Sequence, residues 1–329
     1  MPLAEIKTDF GKDGFGLIKY LVHRLLMMIP VLLIVSLLVS SLIYFSPGDP
    51  VRVMLGLRAN EEAVENIRKE LGLDQPAHIR YLKWLGMALR GNLGRSLQRN
   101  EPVWGMIKER LGASVELGFF AFCIAVTLAI PAGVISATRV NSWIDNLLSF
   151  WSLFFVSMPG FWVAILCLLI FGLHLQILPI SGRGGPIWSL KGLEYLLLPG
   201  LILGFRQVAV IMRLIRAGML EILSSDYIRT ARSKGLAERI VVYRHALRNA
   251  MIPTVTIFGL QVPEFLSLSV IIETVFAWPG MGRLLVDAVT KRDYTLVQGI
   301  VLVYALLVVV MNLLVDLLYA YIDPRIKHQ

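Results

Sequence analysis

Two ionisable residues stand where charge is costly. Arg206, in LGFRQVAV, and Glu264, in GLQVPEFLSL, each lie inside a long apolar run. A charged side chain at mid-bilayer costs about 2.5–3.5 kcal/mol by insertion scales, so each is expected to face a cavity or a partner. Guanidinium and carboxylate at one depth can satisfy each other through a charge-assisted hydrogen bond. Gln207 and Gln261, close by in the chain, join them as candidates. A second concentration of charge is the stretch DYIRTARSKGLAERIVVYRHALRNAMIP, Asp226 to Pro253. It sets Arg229, Arg232, Lys234, Arg239, Arg244 and Arg248 against only Asp226 and Glu238.

Covalent chemistry finds no support. The chain has no G-x-x-x-x-G-K-[ST] phosphate loop, no H-E-x-x-H and no G-x-S-x-G, and His23, His78, His174, His245 and His328 are scattered. Glu61 and Glu62 with Arg68 read as a solvated helix face. Cys123 and Cys167 sit singly in apolar runs and read as buried apolar side chains, without disulfide or metal-site spacing. No catalytic residue, metal site or cofactor is expected in this chain.

The elements that must hold these charges are membrane helices. With 56% hydrophobic and 17% charged residues in 329, the chain is too apolar for an ordinary soluble domain. A spanning helix needs about 20 mainly apolar residues. Stretches at about 22–45, 114–137, 147–173, 196–215, 252–275 and 296–320 meet or approach that length, which predicts an all-α protein of six spans. The first is too long for a signal-peptide core and ends in SPGDP without a cleavage pattern, so it is retained. Arg206 and Glu264 each fall roughly ten residues from the outer end of a span, or ~15 Å deep at the helical rise. Pro131, Pro159-Gly160, Pro199-Gly200 and Pro263 fall inside spans as potential breaks, whose freed backbone groups need protein or cavity water.

The formal charge of +9 raises nucleic acid, but its placement points elsewhere. With a cytoplasmic N-terminus, the inner segments hold Lys19, Arg24, Arg139, the run from Arg213 to Arg248, Arg325 and Lys327. The short outer loops hold only Arg183, Lys191, Arg283, Lys291 and Arg292. Basic loops face inward, so both termini (the first from residues 1–21) and the basic loop, 216–250, are expected in the cytoplasm and no nucleic acid is required. Residues 46–111 mix signs, place Val64, Ile67 and Leu71 at helical spacing, and carry Gly72, Pro76, Gly91 and Gly94 as punctuation. They read as a small extracytoplasmic subdomain of short helices and turns. The rest, 112–329, forms the membrane core.

Topology alone would account for a basic loop. This one also holds helix-forming residues around Gly235, with Asp226 placed to cap a short helix near Tyr227. Helix, glycine turn and second helix make a rigid protrusion suited to docking a soluble partner.

DYIRTARSKGL followed by HALRNAMIP resembles the cytoplasmic loop of ABC-importer permeases of the dipeptide, oligopeptide and nickel class. The wider importer signature is E-A-A, three residues, G, nine residues, I-x-L-P. Aligned on Gly235, this chain has Arg229-Thr230-Ala231 for E-A-A, and His245 and Leu247 at the I and L positions, departures typical of the peptide branch. SPGDP (46–50), LGLDQP (71–76), ETVFAWPGMGRLLVDAVTKRDYTLVQG (273–299) and NLLVDLLYAYIDPRI (312–326) agree in order and spacing, so the resemblance covers most of the chain. It implies a permease subunit in the bacterial inner membrane, beside a second permease, two ATP-binding subunits and an extracytoplasmic solute-binding protein. ATP and Mg would be held by the ATPase. Asp226, Tyr227, Arg229, Thr230, Ala231, Lys234, Gly235 and Leu236 are the docking residues it implies. Cations there can pair with acids on the ATPase, and Gly235 gives a turn that a Cβ would obstruct.

Within that reading Arg206, Gln207, Gln261 and Glu264 are expected on the translocation path. Arg206 and Glu264 would pair with each other until the carboxylate and amine of a peptide replace them in turn. A static structural pair is the alternative. Di- or oligopeptides are the expected cargo, with nickel chelates, glutathione, certain sugars and opines open. From other classes, a membrane scaffold or signalling component would use the basic loop without ATPase subunits, and an intramembrane enzyme lacks a reactive constellation.

Overall fold

The computed structural model describes residues 14–45, 51–52, 60–70, 72–251, 254 and 261–322. SPGDP, part of the expected fifth span and the end of NLLVDLLYAYIDPRI lie outside them. The described chain is helical, and its one β-type pairing is an isolated antiparallel bridge between Arg95 and Pro102. Residues Met1–Trp104 with Ala288–Gln329 form one compact unit, and Gly105–Asp287 form another.

In the first unit α1 (Gly14–Phe45) packs along α12 (Tyr294–Ile322). Both carry apolar stretches long enough to cross a membrane, Arg24–Ser41 and Tyr294–Leu317. Arg24 reaches Asp316 at 3.2 Å. Between α1 and the next long helix lie α2 (Glu61–Glu70) and α3 (Ala77–Ala88). Asn60 starts α2 by accepting from the Glu62 amide at 3.3 Å. Gly72, Gly91 and Gly94 all have positive φ, so the punctuation expected from sequence falls at real reversals. Tyr81 of α3 bonds Ser36 of α1 at 2.8 Å. Asp293 ties the 96–98 turn to the start of α12, accepting from Ser96 Oγ and from the amides of Leu97 (3.1 Å) and Leu296 (3.2 Å).

Two further long apolar helices, α4 (Val103–Thr138) and α7 (Leu190–Leu223), run through the second unit. The helix expected at 114–137 thus begins at Val103, and the one expected at 196–215 extends at both ends. Pro131 and Pro199 lie within these helices without ending them. α4 and α7 approach closely: a Cβ on Gly133 would come within 2.8 Å of Ile215, the small-residue packing that membrane helices use.

The stretch expected as one span at 147–173 is instead two helices, α5 (Trp143–Ser157) and α6 (Gly160–Cys167), the latter continuing as a π-helical turn through His174, with a bend of 103°. Pro159 causes the break: it has no N–H and forces Met158 out of the α region, to φ −87°, ψ 136°. Gly160 sits where a Cβ would come within 2.6 Å of Leu268, so α6 packs tightly on α10 (Val262–Val275). Among the described residues four helices therefore have the length and apolarity to cross, and a fifth if the bent pair is one crossing. Pro263 falls in the first turn of α10, where a missing N–H costs nothing.

The second unit's core has two clusters. One joins Ala113, Leu117, Leu196, Leu203, Ile272, Phe276 and Trp278. The other joins Ala125, Ala129, Ile211, Ile215 and Met219 to Ile228, Ala231, Val241, Val242 and Ala246 of the basic loop. Glu273, fully buried, organises the motif after α10. It accepts from Ser114 Oγ (2.7 Å), Ser269 Oγ (3.1 Å) and the amides of Gly282 (2.7 Å) and Arg283 (3.2 Å), which open α11 (Met281–Thr290). A buried carboxylate bonded on this many sides fixes the turn that ETVFAWPGMGR encodes.

Candidate functional site: a braced basic loop and an interhelical ion pair

The basic loop begins where α7 ends. Ser225 occupies the N-cap position of α8 (Asp226–Ser233), and Asp226 is its first residue. Asp226 is therefore not the cap expected from sequence. It sits in the first turn, where a carboxylate favours the helix dipole, and lies 3.4 Å from Arg229 with both side chains exposed. Ile228 and Ala231, three residues apart and so on one face, are 0% and 7% exposed. Ala231 thus anchors the helix to the core and does not belong to the loop's outer surface. Full burial of an isoleucine contributes about 1.5–3 kcal/mol, enough to hold a helix of two turns that would not persist alone.

Gly235 follows at φ +76°, with its N–H bonded to the Arg232 carbonyl at 2.9 Å. A Cβ there would meet nothing within 4 Å, so the need for glycine is conformational and not the steric obstruction expected from sequence. Across the turn Arg232 forks onto Glu238, Nη2 to Oε1 at 2.6 Å and Nε to Oε2 at 3.1 Å. That guanidinium holds the Glu238 carboxyl below the usual carboxylate range. Tyr227 meets His245 Nδ1 at 3.0 Å, joining α8 to the π-helical turn Val241–Leu247 that follows α9 (Glu238–Ile240). Tyr227, Arg229, Thr230, Lys234 and Leu236 are exposed, as are Arg239, Arg244 and Arg248. The result is an apolar-backed helix with a cationic outer face.

Beneath the loop is a clasp that sequence reading missed. Asp145, at the start of α5 and 2% exposed, accepts from Arg216 of α7 at 2.8 Å to each oxygen. Ser136 Oγ and the Asn141 amide (3.0 Å) complete its shell. Arg216 lies two turns before the end of α7, so the clasp joins α4, α5 and α7 where the protrusion departs. The available signal was Asp145 three residues after Ser142, an N-cap pattern. Its distant cation was not legible.

Arg206 of α7 and Glu264 of α10 form an ion pair, Nη2 to Oε1, with side chains 30% and 47% exposed. Glu264 falls in the first turn of α10. Of the neighbouring candidates, Gln261 precedes α10 and is half-buried, whereas Gln207 is 2% exposed. Gln207 thus packs away from the open side on which Arg206 and Glu264 meet.

The described residues are helical, with long apolar helices and a basic loop held to the core by Ile228 and Ala231, the build of a multi-helix membrane protein. Residues 129–328 match the binding-protein-dependent transport system inner membrane component family, and residues 17–118 match the N-terminal domain of such membrane components. The chain belongs to this family and is a multi-pass inner-membrane transport subunit, not an enzyme. It is 40% identical to the dipeptide transport system permease protein of Alkalihalophilus pseudofirmus over 95% of this chain and all of that one. It is 38% identical to the dipeptide transport system permease protein of Escherichia coli K12, over 95% and 100% of the two chains. The oligopeptide transport system permease protein of Bacillus subtilis is 37% identical, over 94% and 99%.

Proposed function

We propose that this chain is one permease subunit of an ATP-driven, binding-protein-dependent importer of dipeptides or oligopeptides. It works beside a second, homologous permease, two ATP-binding subunits that supply ATP and Mg chemistry, and an extracytoplasmic solute-binding protein. Six spans place both termini and the 216–250 loop in the cytoplasm, and residues 46–111 outside the membrane, where the binding protein docks. The observation that carries this reading is the basic loop, with Ile228 and Ala231 sunk into the core and Tyr227, Arg229, Thr230, Lys234 and Leu236 outward. Such a loop moves with the membrane helices when an ATPase groove moves it, and its cations complement acids on that partner.

The path reading rests on Arg206 and Glu264. Together they offer one cation and one anion in an apolar setting, which matches the two charged ends of a peptide. Gln261 remains a path candidate, and Gln207 supports the helix instead. The names of the permease relatives favour peptides over nickel chelates or other solutes.

The test is ATPase activity of the purified complex in nanodiscs, its chains identified, with and without binding protein preloaded with mixed peptides. Stimulation by loaded binding protein, lost on replacing Gly235 by a bulky residue, is the expected result. Purification without an ATPase under conditions that preserve native complexes would overturn the importer reading and leave the scaffold in its place.

A further inference from the structure

The first unit contains a cavity of about 650 Å³ at the C-terminal end of the apolar stretch of α1 and the start of that of α12. Val39 and Ser40 of α1 and Tyr294, Thr295 and Gln298 of α12 line one part. Lys69 of α2, the 72–75 turn, residues of α3 and the 94–100 turn line the rest. The apolar stretch of α12 begins there and that of α1 ends about one helical turn further on, at Phe45, which puts the cavity close to the level of phospholipid headgroups whichever way the chain is oriented. Trp84 and Tyr294 on its wall are the amphipathic aromatics that favour this level.

The wall's chemistry is one-sided. Lys69, Arg80, Lys83 and Arg95 all line the cavity, and among the described lining residues none is acidic; Lys69 pairs with Glu65 outside the wall at 3.9 Å and Arg80 donates to the Ser40 carbonyl at 3.1 Å. Lys83 is satisfied by the neutral Gln75 Oε1 at 2.8 Å, and Arg95 by the Asn100 carbonyl at 3.0 and 3.2 Å. Two neutral donors are also left over. The Trp84 side chain is 7% exposed, and neither its Nε1 nor Gln298 Nε2 has a hydrogen-bond partner. Indole N–H can only donate, and leaving a buried donor unmet is costly. Spare donors and cations around one space call for a ligand that is anionic and accepts only.

We infer that this cavity binds the phosphate of an anionic phospholipid headgroup, phosphatidylglycerol being the simplest. Its acyl chains would lie along the apolar surface of α1, where Leu37 and Leu38 are exposed. Lys83 and Arg95 supply charge, and Trp84 and Gln298 supply directed donors. Placement at the ends of two apolar helices favours a lipid over a free anion or an acidic protein segment. This site is independent of the cargo and of the docking loop.

Native mass spectrometry of the full chain, purified with its accompanying subunits from nanodiscs of phosphatidylethanolamine with phosphatidylglycerol, would measure retained lipid. Retained phosphatidylglycerol should fall about five-fold for each of K83Q and R95Q, while K83R and R95K keep it. W84F should weaken retention with the cations intact. Photo-crosslinkable phosphatidylglycerol on the unaltered protein, mapped by peptide sequencing, should label residues 80–100 or 294–298, so the test survives a misfolded variant. Equal retention by K83Q and the native chain, or labelling only elsewhere, would overturn the site. Displacement of the lipid by inorganic phosphate alone would assign the cavity to a free anion, and displacement by the binding protein alone would assign it to that partner. Either result overturns the lipid assignment.

Discussion

Arg216 holds Asp145 with two hydrogen bonds of 2.8 Å, one to each carboxylate oxygen, and so joins α5 to the C-terminal half of α7. Because the acid is buried and its partner is largely so, the pair should be felt in stability. Breaking a buried pair from one side costs on the order of 3 kcal/mol, since the remaining charge loses its counter-ion. Asp145→Asn should therefore lower the thermal midpoint of the purified complex, and loosen residues 216–233 in hydrogen exchange. An unchanged midpoint would mean that the clasp is ornamental.

Ile228→Ala should cost about 2–5 kcal/mol, the range for emptying a buried isoleucine site. Because Ile228 is fully buried while Arg229 is exposed, the contrast with Arg229→Ala is informative. The arginine variant should leave thermal stability within about 0.5 kcal/mol and weaken only association with the ATP-binding partner, read by co-purification.

At Gly235 the φ of +76° and the open space around the Cα predict a penalty that is conformational. Gly235→Ala should destabilise the loop by about 1–2 kcal/mol. Gly235→Asn should cost less, since asparagine tolerates the left-handed region. Local exchange rates at 232–238 would rank the variants. A ranking by side-chain size instead would show that a partner surface presses on this point.

The Glu238 carboxyl titrates lower in the folded protein because Arg232 bonds it. A depressed acid contributes stability above its unfolded pKa and loses it as pH falls through the folded value. The loop should therefore be insensitive to pH near neutrality and loosen only below about pH 4.3, the ordinary glutamate value. Hydrogen exchange at 226–240 measured down an acid series should show that order, and E238Q should remove the acid step. Both partners are well exposed, so the effect belongs to the loop and not to global stability.

Glu264→Gln removes the anion facing Arg206 while preserving shape. Assembly of the complex should survive, and uptake of charged peptides should change relative to neutral, end-blocked ones. Uptake that is the same for both classes before and after the change would reduce Arg206 and Glu264 to a structural pair.

The sequence made some of this legible and hid the rest for physical reasons. Long apolar runs disclosed α1, α4, α7 and α12 because hydropathy over about 20 residues is a local property. Pro159 was visible as a breaker, but the 103° bend was not, since direction after a break depends on packing such as that of Gly160 on Leu268. Pro131 and Pro199 carried the same letter without ending their helices. The Arg206–Glu264 pairing followed from cost, because charges set in apolar runs seek each other. The Arg216–Asp145 clasp did not, because Asp145 looks like an ordinary helix-start acid until a chain segment 71 positions away closes on it. Ala231 was named with the docking residues by resemblance, and the three-residue spacing from Ile228 turns its side chain inward.

One feature of α7 reaches further than its packing. Arg206 stands midway along this helix, and the last turn, at Leu223, hands directly to the basic loop. Over the intervening 17 residues, about 26 Å at the helical rise, no proline interrupts the backbone. In the importer proposed above, a twist applied at the loop would reach Arg206 as by a crankshaft, and its ion pair with Glu264 would tie that turn to another helix.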